Sequence, residues 1–211
     1  HPFITNPDAQ IEKNHLSGQD IQSKTYSYRN IGQMFLLYSS ETNKYYHFGI
    51  DKSIMGGTRT DCYFDPVDRA IHTNGSTLIY MSKAKVVNYD FLKEYDRYIK
   101  MCPEIHTEMV DDIIEELKQY TGGNTSENGY YYSRFISLLR RGIVIHHGSM
   151  PLRTRTLVEK FVNNKLCRLC FSTSTLEQGI NMPFDVVVLD RFEKSKPLAI
   201  KNLIGRAGRS S

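Results

Sequence analysis

Arg206 and Arg209 stand three residues apart in Asn202-Leu203-Ile204-Gly205-Arg206-Ala207-Gly208-Arg209, with glycines at 205 and 208. A guanidinium is planar, forked and permanently charged, so a pair of them can grip a phosphoryl group as negative charge builds up during its transfer. The glycines remove side-chain bulk where backbone must approach another surface closely. The same string also suits a turn or a disordered basic tail. A second set of polar residues stands where apolar runs end. Leu169-Cys170-Phe171 leads into Thr173-Ser174-Thr175, Gly142-Ile143-Val144-Ile145 into His146-His147-Gly148, and Thr77-Leu78-Ile79-Tyr80-Met81 into Ser82-Lys83. Hydroxyls and free backbone N–H groups at the mouth of a strand are suited to phosphate oxygens.

The elements that must position these groups follow from the same runs. Val186-Val187-Val188-Leu189 is apolar and β-branched, as a strand buried on both faces of a parallel sheet must be. With the three runs above it makes four strands, each leaving into polar residues and linked by helical segments such as 151–162. Pro151 is expected in the first helical turn, where its missing N–H costs nothing. The pattern is that of an open α/β sheet, whose ligands lie beyond the carboxyl ends of the strands.

From about residue 77 to 209 the chain resembles the second RecA-like domain of a superfamily 2 helicase, closest to the Ski-like DExH group. Residues 77–82 match the strand ending in Ser or Thr that opens that domain, and residues 142–148 match its GI-x-x-HH segment. Residues 173–183 match T-x-TLA-x-G-[VI]-N-[LM]-P, and residues 202–209 match Q-x-x-GRAGR. The chain departs from the pattern at Asn202, where Gln is usual, at Glu177 and Gln178 in place of small residues, and in the order of Gly148 and Ser149. Asn keeps the amide donor and acceptor but is one methylene shorter.

The resemblance implies ATP, with Mg2+, bound between this domain and a first RecA-like domain. Arg206 and Arg209 would reach the γ-phosphate, and Gly179, Asn181 and Asn202 would lie near nucleotide. Ser82, His147, Thr173 and Thr175 would face the backbone of single-stranded nucleic acid, with RNA and DNA both open because phosphates are what these motifs read. Neither a Gly-x-x-x-x-Gly-Lys-Ser/Thr loop nor an acidic DExH box occurs in the sequence, so the chain by itself is expected to hydrolyse essentially no ATP. It starts at His1 without methionine and closes two residues past Arg209, the form expected of a piece of a longer motor. The rival reading is a non-catalytic nucleic-acid-binding or assembly module that keeps the fold without turnover.

Composition adds bounds. At 211 residues and 40% hydrophobic content the chain can bury one substantial core. It has no apolar run of the ~18 residues that a membrane span needs and no visible signal peptide, and it is expected to be cytoplasmic. The net charge of +4 is small, but its distribution is uneven. Residues 131–170 carry eight Lys or Arg against one acid, Glu159, while residues 86–130 carry four against ten. Such segregation suits a phosphate-gripping surface and equally suits separate solvated helix faces. Asp111-Asp112 and Glu115-Glu116 fall in an amphipathic helical run and read as a solvated face. Cys167 and Cys170 have a zinc-like gap, but on a strand such residues face opposite ways. With Cys62 and Cys102 far away, core thiols are expected and no metal site. His146 and His147 fail the same facing test as co-ligands.

Residues 1–76 form an appendage ahead of the RecA-like domain of 77–211. Two aromatic-rich runs, 33–39 and 44–50, flank Ser40-Glu41-Thr42-Asn43 and read as a β-hairpin. Gly56-Gly57 marks a loop and residues 66–72 a short helix. Tyr130-Tyr131-Tyr132 offer faces for stacking on bases or for core packing, and residues 121–129 form a polar loop.

Overall fold

A strand with no polar face has to be covered on both sides, and three strands of the central sheet are built that way, while Val186–Leu189 at its edge, expected to be buried on both faces, is only half-buried. The computed structural model describes residues 34–47, 60–121, 129–173, 182–190, 202–205 and 207, all within one compact unit, Gln33–Ser211. Three short strands come first: β1 (Leu36–Ser39), β2 (Lys44–His47) and β3 (Thr60–Cys62). They are followed by α1 (Pro66–His72), β4 (Thr77–Tyr80), α2 (Lys83–Val87), α3 (Phe91–Glu94), α4 (Asp96–Met101), α5 (Glu108–Thr121) and α6 (Gly129–Arg140). The series ends with β5 (Ile143–His146), α7 (Leu152–Asn163), β6 (Leu169–Ser172) and β7 (Val186–Leu189). The larger sheet runs β5-β6-β4-β7, with every neighbouring pair parallel. Parallel neighbours require crossovers, and helices supply them between β4 and β5 and between β5 and β6. This is the α/β fold expected of a RecA-like domain, carrying an antiparallel hairpin sheet ahead of it.

Helix spacing explains the covering layers. α5 buries Val110, Ile113, Ile114, Leu117 and Thr121, a stripe at intervals of three and four. α7 buries Thr154, Leu157, Val158, Phe161 and Val162 in the same way. α6 and α7 pack on β5, α5 packs on both of those helices, α1 packs on β4 and β7, and α2 packs on β6. Phe91 stacks on Phe171 of β6 with centroids 4.2 Å apart, and Tyr95 meets the same ring edge-on at 5.5 Å. Both phenylalanines are fully buried, each contributing roughly 1.5–3 kcal/mol from burial.

Local details differ from the sequence expectation in three places. Pro151 precedes the first helical residue instead of lying in the first turn; its carbonyl accepts the first helical bond from the Arg155 N–H at 3.0 Å. Cys167 lies ahead of β6, which starts at Leu169, yet Cys167 and Cys170 are both buried, and burial pushes both thiols up. The hairpin gains a third strand, β3, pairing Tyr45 with Cys62, which three residues are too few to announce by alternation.

The hairpin sheet is tied to the α/β unit by polar contacts. Asp65 caps α1 by accepting the N–H groups of Val67 at 2.9 Å and Asp68 at 3.2 Å. Its other oxygen accepts from the Tyr98 hydroxyl at 2.6 Å and from Arg97 at 2.7 Å. The Tyr98 hydroxyl in turn lies 3.3 Å from that of Tyr45 on β2.

Candidate functional site

The carboxyl ends of the four parallel strands form one row. His146, Ser172, Tyr80 and Leu189 are in register across β5, β6, β4 and β7. Backbone bonds carry the ladder one rung further: Thr173 N–H to His146 O at 3.2 Å, Met81 N–H to Ser172 O at 2.9 Å and Asp190 N–H to Tyr80 O at 3.0 Å. His147, Thr173 and Ser82 therefore leave three adjacent strands at one edge. Neighbouring strands are about 4.8 Å apart, so the three positions span about 10 Å.

Each side chain has a distinct setting. Ser82 Oγ caps α2 by accepting the Lys85 N–H at 3.3 Å, which leaves its own O–H free to donate. Thr173 is 5% exposed and His147 7%. Burial first, and the Lys83 ammonium second, hold the His147 imidazole below its ordinary value, so it is neutral at pH 7. His146, one residue earlier, is wholly buried, with Nε2 3.8 Å from Glu159 on α7.

A polar cluster at the end of β7 escaped the sequence reading. Lys85 Nζ lies 2.8 Å from Glu94 and 3.0 Å from Asp190, and the Tyr95 hydroxyl donates to Asp190 at 3.4 Å. The Glu94 hydrogen bond is the main cause that raises the Lys85 pKa, and burial, with Asp190 and Glu94 nearby, pushes the Tyr95 phenol up. Asp190 follows the Val-Val-Val-Leu run, so the strand-exit pattern that singled out Thr173 also pointed to it.

Much of the basic block at 131–170 is engaged within the fold. Arg140 pairs with Asp111, and Arg153 pairs with Glu116 at 3.0 Å while lying over the Tyr120 ring at 4.0 Å. Arg141 donates to the carbonyls of Cys102 at 2.9 Å and Lys100 at 3.2 Å. Arg168 reaches the Asn74 carbonyl and side chain, both at 3.2 Å, and Arg134 lies over the Tyr89 ring. Five of the eight cations hold the fold together, two of them against the acidic helix α5. Asp112 and Glu115 on that helix remain exposed, in keeping with a solvated face.

The arginine motif is reached only in part. Asn202 is exposed at the start of a single helical turn, 202–204, whose Leu203 is fully buried. Ala207 donates its N–H to Ile204 O at 3.0 Å and forms a parallel bridge with Phe184. Phe184 lies two residues ahead of β7, whose Val186 pairs with the first residue of β4. Ala207 is therefore beside the amino end of the sheet, opposite His147 and Thr173. Thr175, Gly179, Asn181, Arg206 and Arg209 lie outside the described residues, as do 122–128 of the polar loop.

Comparison with known proteins agrees with this architecture. The family model described as "Helicase conserved C-terminal domain" matches residues 63–211, a span that includes α1. Among curated proteins, Hachiman protein HamB of Bacillus cereus is 35% identical over 83 residues, covering 37% of this chain and 7% of that protein. ATP-dependent DNA helicase Hel308 of Caldivirga maquilingensis is 27% identical over 106 residues, with 46% and 13% covered. Superkiller complex protein 2 of Mus musculus is 34% identical over 80 residues, with 34% and 6% covered. The matched stretch is thus a small part of each of these proteins.

Proposed function

Because this chain belongs to the family of helicase conserved C-terminal domains, with superfamily 2 relatives that include Ski-like proteins, we propose that it works as the second motor domain of an ATP-dependent nucleic-acid helicase. The observation that carries the reading is the alignment of His147, Thr173 and Ser82 at one carboxyl edge of a parallel sheet. Such an edge is where open α/β sheets take their ligands. There the Ser82 and Thr173 hydroxyls, with Thr175, hold phosphate oxygens of a single strand, and neutral His147 orients the loop beside them. Contacts of this kind position a strand without reading its bases.

ATP with Mg2+ supplies the transferred γ-phosphoryl group when bound. The metal and the triphosphate belong chiefly to the first RecA-like domain, since this sequence holds no nucleotide loop or acidic box. From this chain, Arg206 and Arg209 meet the γ-phosphate across the interface, and Gly179, Asn181 and Asn202 line the nucleotide side. Ala207, between the arginines in sequence, bridges to Phe184 ahead of β7, at the end of the sheet away from Ser82 and Thr173. One compact unit holding both sets links nucleotide state to grip, as coupled sites exchange binding energy reciprocally.

The test is Arg206→Ala and Arg209→Ala in the full-length protein. Arginine fingers contribute on the order of 10³–10⁵ in rate, so each variant should lose about that much single-turnover hydrolysis with little change in ATP affinity or melting temperature. A folded variant with normal hydrolysis refutes the finger role of that arginine. Full-length protein without strand-stimulated hydrolysis points to the non-catalytic module instead.

A further inference from the structure

Two lysines follow Ser82 at the mouth of β4, and the fold treats them differently. Lys85 is pinned between Glu94 at 2.8 Å and Asp190 at 3.0 Å, so its charge is neutralised within the protein. Lys83 is exposed, and among the described residues no carboxylate lies within ion-pair distance of it. Lys83 leaves the end of β4 and His147 the end of β5, with Thr173 on the strand between them. The Lys83 charge is nevertheless felt at His147, which sets it along the same edge as the strand-facing residues.

We infer that Lys83 is the phosphate anchor of this edge: its ammonium pairs with a backbone phosphate of a single strand lying over Ser82, Thr173 and His147, while Lys85 fastens α2 to the end of β7. The inference rests on the proposed strand-binding role of the edge. Ser82 and Thr173 are neutral, and so is the buried imidazole of His147. Among the described residues, Lys83 is thus the unpaired cation beside this row through which it attracts a phosphate and displaces a counterion. A lysine suits that task because it is a mobile point charge on a flexible stem, indifferent to base identity. Its lack of a protein partner means that pairing with phosphate breaks no existing ion pair among the described residues.

The experiment is a salt titration of strand affinity with the full-length protein and labelled oligothymidine and oligouridine. Each phosphate neutralised on a single strand contributes about 0.7 to the slope of log affinity against log salt. Lys83→Ala should therefore flatten the slope by about 0.7 and weaken binding roughly fivefold near 0.1 M salt, with ATP affinity and melting temperature unchanged. Lys83→Arg, which keeps the charge, should restore the slope. Lys85→Ala should leave the slope alone and lower the melting temperature. An unchanged slope in Lys83→Ala, or a loss that falls on ATP affinity instead, overturns the inference while the strand-binding reading stands. Wild-type protein that binds neither oligonucleotide overturns both.

Discussion

Gly142 occupies the turn that starts β5 and cannot be replaced cheaply. Its φ is +70°, in the left-handed region, and a Cβ there would lie 2.8 Å from the Leu166 carbonyl oxygen, 3.1 Å from Arg168 Cγ and 3.2 Å from Ile105 Cδ1. The two side-chain atoms can give way. The Leu166 carbonyl cannot move freely, because it belongs to backbone entering β6, and the Gly142 carbonyl itself accepts the Arg168 N–H at 2.7 Å. Left-handed backbone costs an alanine roughly 1–2 kcal/mol, and overpacking adds about 1–3 kcal/mol. A stiffer unfolded chain returns about 0.4–1 kcal/mol, leaving Gly142→Ala destabilised by about 1–5 kcal/mol. For a chain of this size that is a fall in melting temperature of roughly 2–20 °C. Urea unfolding followed by circular dichroism, with a thermal melt as a second measure, reads the effect. Gly75→Ala is the comparison: its Cβ would meet Asp185 Oδ2, which accepts the Ser76 N–H at 2.7 Å, at 2.9 Å and the Ala70 carbonyl oxygen at 3.2 Å, but its φ is outside the left-handed region, so it carries crowding without the backbone strain. Gly142→Ala within about 0.5 kcal/mol of wild type, or less harmful than Gly75→Ala, would refute the reasoning from backbone strain and the fixed carbonyl.

Asp65→Ala should cost about 2–3 kcal/mol, combining a lost helix cap with the loss of charge-assisted bonds from Tyr98 and Arg97. Asp65→Asn, which keeps an accepting oxygen for the cap, should cost less in the same unfolding assay, and equal losses would show that the cap contributes nothing. His147 predicts an acid sensitivity. Its folded pKa is depressed by burial and by Lys83, so on acidification the unfolded chain takes up the proton first. Stability should fall as pH drops below about 6.5 and level off once the folded pKa is passed. Exposed His72, held up by Asp68, acts in the opposite sense, so the informative quantity is the difference between wild type and His147→Asn from pH 7 to 5. If that difference does not change with pH, His147 is not a neutral buried imidazole.

Much of this protein was legible in order along the chain. Val186–Leu189 and Thr77–Tyr80 announced themselves as short apolar runs, although β4 also buries Thr77 and β7, an edge strand, is only half-buried. The spacing of Val110, Ile113, Ile114 and Leu117 announced α5, since only one helical face meets the core. The polar residues at strand exits could be picked out for the same reason, as the first positions free of the sheet. What could not be read was anything set by pairing at a distance. β3 exists because β2 offers it a ladder, and the strand order β5-β6-β4-β7 depends on how the crossovers pack. The sequence left the partners of the basic block open, and the fold supplies them: Arg140 finds Asp111 across 29 residues and Arg168 finds Asn74 across 94. Lys83 and Lys85 show the division most sharply. The sequence analysis picked out Ser82-Lys83 at the exit of β4, and Lys85 two residues on carries the same charge. The fold separated them, because Glu94 is brought to Lys85 from 9 residues away and Asp190 from 105. Coulomb attraction depends on distance through space, and that distance was set only when β7 docked beside β4.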